Sequence, residues 1–148
     1  MIEPSCIEET DVSKIKVKDG TKFAVFLNSA NTLHLKVRVD GCAVMDGPRA
    51  DWVVERGNDA IVVELKGRDV EHAAVQIAAT STLWKNVEGR CGKIAGLIVA
   101  RQYPKASTVI QLKQRSFVKT FGGPLHVVNH CPEVYFDHVL SFRGPFKA

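Results

Sequence analysis

No apolar run in this chain reaches the roughly 18 residues that a membrane-spanning helix needs. The opening stretch, MIEPSCIEETD, is acidic and has no apolar core, so it does not read as a secretory signal. There is no Cys-x-x-Cys. Cys6, Cys42, Cys91 and Cys131 are widely scattered, which argues against a zinc ribbon and, without a signal, against a disulfide framework. The four read as reduced thiols of a cytoplasmic protein. Neither a Walker A loop nor a GxGxxG occurs, so the two common phosphate-cradling signatures are missing. His34, His72, His126, His130 and His138 show no ligand spacing; His126 and His130 are four apart, but on a strand and its exit. Internal repeats and low-complexity segments are also absent.

What is present fits one domain. The chain has 148 residues, 45% of them apolar and 24% charged, enough for a real core. The formal charge of +4 suits a polyanionic partner without requiring one. Residues 1–20 are polar and weakly patterned, and read as an arm or as a short strand at Ile15 and Val17. Lys22 to Leu27 reads as a strand. Leu33, Leu35, Val37 and Val39 alternate with His34, Lys36, Arg38 and Asp40, which predicts a half-buried strand with a mostly basic outer face.

The stretch 49–66, RADWVVERGNDAIVVELK, holds two short apolar runs split by Arg56-Gly57-Asn58-Asp59, the pattern of a hairpin. After Asp69, an N-cap type, apolar residues at Val70, Ala73, Ala74, Ile77, Ala78 and Trp84 predict an amphipathic helix to about Lys85. Ile94 to Ala100 predicts a strand buried on both faces, and 107–121 a second helix stopped by Gly122-Gly123-Pro124. Leu125 to Asn129 predicts a last core strand. The tail, with Val134-Tyr135-Phe136 and Val139-Leu140, is expected to pack back. An antiparallel meander followed by helix crossovers implies a mixed sheet with helices on its faces, an α/β (α+β) architecture.

The hairpin carries the strongest chemical signal. Asp51 opens its first run, and Glu64 and Lys66 close the second. Charge in a buried strand pair is costly unless it is paired or holds a metal. A hard divalent cation takes oxygen ligands, often one or two carboxylates with waters completing the shell. Such a metal polarises a phosphate and acidifies a water, and a nearby lysine can orient that water or stabilise developing charge. The same spacing also fits two carboxylates at strand ends in solvent with Lys66 in a surface pair.

Asp51, then a strand, then Glu64-Leu65-Lys66 resembles the D…ExK signature of the PD-(D/E)XK nuclease superfamily, which includes restriction endonucleases, Holliday junction resolvases and RecB-type nuclease domains. Ala50 stands where that signature usually has proline. The text VDGC…ADW…VVELKGRDVEHAAVQI also resembles small bacterial and phage proteins of the superfamily. The resemblance covers about two thirds of the chain. It implies a restriction-endonuclease-like core over about residues 31–130. Asp51, Glu64 and the backbone carbonyl of Leu65 would be ligands of Mg²⁺ or Mn²⁺, and Lys66 the catalytic lysine. Gln76 resembles the glutamine of the RecB-type motif, but Thr80 replaces the tyrosine four residues on. The acidic helix that often precedes the core is missing, and only Glu3, Glu8, Glu9 and Asp11 lie in that region. Asp40 is a candidate third carboxylate or a turn-forming Asp-Gly.

Lys36, Arg38, Arg68 and Arg101 are candidate phosphate contacts, with Arg49, Lys105, Lys113 and Arg115 behind them; each also reads as a solvated charge. Arg101 stands out because it ends a core strand. Tyr103 beside it could stack on a base or pack on Pro104. The expected activity is metal-dependent hydrolysis of nucleic acid, DNA by resemblance, by a homodimer or within a larger complex. A non-catalytic module of the same fold, for nucleic-acid binding or protein interaction, is the alternative. A hydrolase of small nucleotides is a third reading.

Overall fold

A computed structural model describes residues 2–67, 69–87, 90, 92–101 and 107–145, except the side chains of residues 66 and 67. Lys66 is thus described by its backbone alone. Arg68, Tyr103, Lys105 and Cys91 lie outside the described residues.

Hydrophobic pattern and turn chemistry account for most elements. After a 3-10 turn at Pro4–Cys6 come β1 (Ile7–Thr10), β2 (Lys14–Asp19), β3 (Lys22–Leu27), β4 (His34–Arg38), β5 (Trp52–Arg56) and β6 (Asp59–Gly67). Then follow α1 (Val70–Lys85), β7 (Ile94–Ala100), α2 (Thr108–Phe121), β8 (Gly122–Asn129), β9 (Glu133–Tyr135) and α3 (Phe136–Val139). Gly57, at φ +60°, supplies the left-handed conformation that a two-residue hairpin turn needs at its first position. The Asp69 carboxylate caps α1 by accepting from the His72 N–H, and the Ser107 hydroxyl caps α2 by accepting from the Ile110 N–H. Gly122, in the left-handed region, ends α2 as expected, but 122–124 already belong to β8.

The architecture is α+β. A six-stranded mixed sheet runs in the order β1-β4-β5-β6-β7-β8. Its first half, from β1 to β6, is antiparallel, whereas β6, β7 and β8 pair in parallel. That matches a meander followed by two helix crossovers. A second sheet, β2-β3-β9, was not anticipated. The short strand expected at Ile15 and Val17 is β2, which forms a hairpin with β3, and β1 adds an edge strand beside β4, so neither segment is an arm.

Two cores flank the large sheet. On one face, Val53 and Val62 pack with Ala73, Ala74, Ile77 and Trp84 of α1 and Phe117 and Phe121 of α2. On the other, Val54, Ile61, Val63 and Leu65 pack with Ile15, Val17 and Phe26 of the small sheet and with Phe136 and Val139 of α3. Burying each large apolar side chain contributes about 1.5–3 kcal/mol, so Ile77→Asp would cost that and bury an unmatched charge. Gly96 lets α1 sit close, since a Cβ there would lie 2.5 Å from Leu125 Cδ1 and 2.9 Å from Ile77 Cγ2.

Two expectations fail. Leu33 lies outside β4 and is exposed, whereas His34 is buried against the edge of the Phe136 ring. Cys6 and Cys42 are joined in a disulfide, not held as reduced thiols. Pairing of β1 with β4 brings the two ends together, which a spacing of 36 residues does not reveal. Cys131 is a free thiol. Among the described residues, no helix is long and apolar enough to cross a membrane.

Candidate active site at the β5–β6 hairpin

The hairpin register positions the two carboxylates. Trp52 pairs with Val63 in the last rung of the β5–β6 ladder, and Asp51 and Glu64 lie just beyond it, at the open end of the hairpin. The Asp51 N–H donates to the Val63 carbonyl at 3.1 Å, and its own carbonyl accepts from Val39 N–H at 2.9 Å. Alternation places both side chains on the α1 side, with Val53 and Val62. Only 7% of Asp51 and 5% of Glu64 is exposed, so both are core residues rather than solvated strand ends. Asp51 Oδ2 also accepts from the Leu65 N–H at 2.8 Å, which fixes the carboxylate against the strand carrying Glu64.

A bulge follows immediately. On β6, the pairs Glu64–Ile98 and Gly67–Ala100 enclose an irregularity, with three steps on β6 against two on β7. Bulges re-aim side chains and are frequent beside active sites. This one falls on Leu65 and Lys66, at the end where the parallel strands β6, β7 and β8 reach their C-termini. Ligands of open α/β sheets commonly sit at that end. Arg101, exposed at the end of β7, shares it.

Helix α1 holds the approach to Asp51. The Ala50 N–H donates to Thr80 Oγ1 at 2.9 Å, and Gln76 Nε2 donates to the Arg49 carbonyl at 3.2 Å. Gln76 and Thr80 are one helical turn apart, so they grip consecutive residues. Ala50 and Thr80 meet here. A proline at position 50 would have no N–H to donate; alanine has one, and Thr80 accepts it. Gln76 therefore acts on the backbone that aims Asp51. Thr80 is fully buried, and its role as acceptor for the Ala50 N–H is one that a helix-border threonine does not announce by spacing.

The remaining candidates are placed elsewhere. Arg49 Nε binds Asp40 Oδ1 at 2.7 Å, and Arg49 Nη1 donates to the Gly47 carbonyl. Asp40 is thus engaged by an arginine, and Arg49 by Asp40. Among the described residues, no group of three or more His, Cys, Asp or Glu is arranged to hold a metal ion. Asp51 and Glu64, both buried, carry hard oxygen donors of the kind Mg²⁺ and Mn²⁺ accept. Lys36 and Arg38 lie on the opposite face of the sheet, beside Trp52. Their neighbours there are Lys16 and Lys18 of β2, the short strand expected at Ile15 and Val17; lysines at period two in KIKVKD are the signal that marks them.

No protein-family model, curated protein or solved structure matches this chain.

Proposed function

We propose that the chain is a Mg²⁺- or Mn²⁺-dependent phosphodiesterase that hydrolyses nucleic acid, DNA being the expected substrate, on a restriction-endonuclease-like core of the PD-(D/E)XK type. The observation that carries this reading is two buried carboxylates, Asp51 and Glu64, just beyond the last rung of one hairpin, with the Leu65 N–H bound to Asp51. The element order β4-β5-β6-α1-β7-α2-β8 supports the fold assignment.

In this reading Asp51, Glu64 and the Leu65 carbonyl hold the metal. When bound, it supplies Lewis acidity to the phosphate and lowers the pKa of a water. Asp51 is kept in place by the Leu65 N–H from one side and by the α1-anchored backbone from the other. Lys66, in a role taken from the resemblance, orients the attacking water and stabilises the charge gathering on the phosphate. Arg101 contributes a cation at the same end of the sheet. In the same reading the domain acts as a homodimer or within a larger complex. A cytoplasmic location belongs to the same reading, whereas the Cys6–Cys42 disulfide is of a kind that persists mainly in oxidising compartments.

One observation favours the alternative of a non-catalytic module: Asp40, the candidate third carboxylate, is bound by Arg49. Incubation with plasmid, single-stranded DNA and RNA in Mg²⁺ or Mn²⁺, beside Glu64→Ala and Lys66→Ala, separates the two. Cleavage by the wild type alone supports the nuclease. Metal-independent binding without cleavage supports the module.

A further inference from the structure

A basic cleft opens on the sheet face away from the carboxylates. Lys16 and Lys18 of β2, Lys36 and Arg38 of β4 and Trp52 of β5 line it, with Asp19 and Gly20 at the β2–β3 turn. Its volume is about 450 Å³. The residues that line it carry four cations and one carboxylate.

The fold builds this wall. Lys36 and Arg38 are two apart on β4 and so share a face, and Arg38 pairs with Trp52 on the neighbouring strand. Lys36 Nζ lies 5.5 Å and Arg38 Cζ 5.4 Å from the indole ring centroid, within cation–π range. The indole N–H donates to the Lys18 carbonyl at 3.0 Å, which fixes the ring and ties the two sheets together. Lys16 Nζ rests over the Phe23 ring, and Lys36 Nζ is 3.9 Å from Glu8. Gathering like charges around a cavity costs free energy in the empty protein and draws anions into it.

Size and chemistry together narrow the ligand. The volume lies within the range of small-ligand sites, roughly 300–1,000 Å³. A duplex presents a convex backbone to a protein and cannot enter such a cleft; one nucleotide unit can. An aromatic ring beside an arginine is a platform for a base, and lysines around it suit the phosphates.

We propose that this cleft binds a phosphorylated nucleoside, with the base against Trp52 and Arg38 and the phosphates among Lys16, Lys18 and Lys36. The unit comes either from a free nucleotide or from a single strand. Asp51 and Trp52 are consecutive, but they project to opposite faces, so binding here needs neither the carboxylate pair nor a metal.

The test is calorimetric titration in EDTA with adenosine triphosphate, a short oligothymidine and inorganic triphosphate. The proteins are the wild type, Lys16→Glu/Lys18→Glu, Arg38→Gln and Glu64→Ala. Lys16 and Lys18 are exposed, so reversing them leaves the core intact. Wild type and Glu64→Ala should bind ATP or the oligonucleotide alike, and which of the two binds names the source. Lys16→Glu/Lys18→Glu and Arg38→Gln should each weaken binding about tenfold or more, with unchanged melting temperatures. Absence of binding to both nucleotide probes would overturn the proposal. So would equal affinity for inorganic triphosphate, or indifference to the charge changes. Because Glu64→Ala retains the cleft, failure of the nuclease reading and failure of this one give different results.

Discussion

Asp51 Oδ2 accepts a hydrogen bond from the backbone N–H of Leu65 at 2.8 Å, tying the carboxylate to the residue that follows Glu64. The bond has a structural and a chemical consequence that two substitutions separate. Asp51→Ala leaves a buried N–H with no acceptor, which costs about 1–3 kcal/mol. Asp51→Asn keeps an acceptor oxygen while removing the charge. Urea titration should find the asparagine variant closer to the wild type than the alanine variant. If the site holds a metal, both should lose cleavage by more than the roughly 10–100-fold typical of residues that only support a ligand. An asparagine variant that still cuts would remove Asp51 from the metal site.

Thr80 should matter for stability out of proportion to its size. It is fully buried and accepts from the Ala50 N–H. Thr80→Val has nearly the same shape but strands that donor, so a loss of about 1–3 kcal/mol is expected in denaturant titrations. Thr82→Val, at an exposed position of the same helix, should change little. Equal effects of the two would show that the Ala50–Thr80 bond contributes nothing.

Reduction should destabilise the fold. The Cys6–Cys42 bond closes a loop of 36 residues' separation, for which chain-entropy reasoning gives about 3–4 kcal/mol. Dithiothreitol and Cys6→Ser/Cys42→Ser should lower the melting temperature to a similar degree. Dithiothreitol should have no further effect on the double variant. Mass analysis under non-reducing conditions would expose a chain in which the bond does not form.

Acid should weaken the protein through two histidines. Burial lowers the pKa of His34 below the ordinary histidine value, although its ring nitrogen donates to the Thr32 carbonyl. Burial likewise lowers His126, which bonds the Ser141 carbonyl. Lowered folded values mean that the unfolded chain binds more protons as pH falls through about 6.5. The stability they contribute is therefore complete above that range and is lost below it, until the folded values are passed. Asp137, lowered by its hydrogen bond to Arg56, acts in a separate window, below the ordinary carboxylate range. Unfolding midpoints should fall between about pH 7.5 and 5.5, and His34→Gln/His126→Gln should flatten that fall.

Local pattern was enough for the elements around the site. Period-two alternation marks β4, and apolar runs about a Gly-Asn turn mark β5 and β6. Capping residues and apolar spacing mark α1 within a residue of its true ends. A two-residue turn also dictates register, so the pairing of Trp52 with Val63 follows from the hairpin itself. The order of helices and strands after it implied the parallel half of the sheet.

What the sequence by itself determined is the kind and order of elements from β4 to β8 and the hairpin that carries Asp51 and Glu64 on its two strands' open ends. Tertiary structure alone decided the second sheet, the edge strand β1, the Cys6–Cys42 bond, the capture of Asp40 by Arg49, the Ala50–Thr80 anchor and the basic cleft around Trp52. The division follows from range. A hairpin or a helix is settled by residues that are neighbours in the chain. A β1–β4 ladder or a β2 lysine beside a β5 tryptophan depends on which distant surfaces bury best together. No spacing rule encodes that choice, because the entropy of closing those loops is offset only by the whole core.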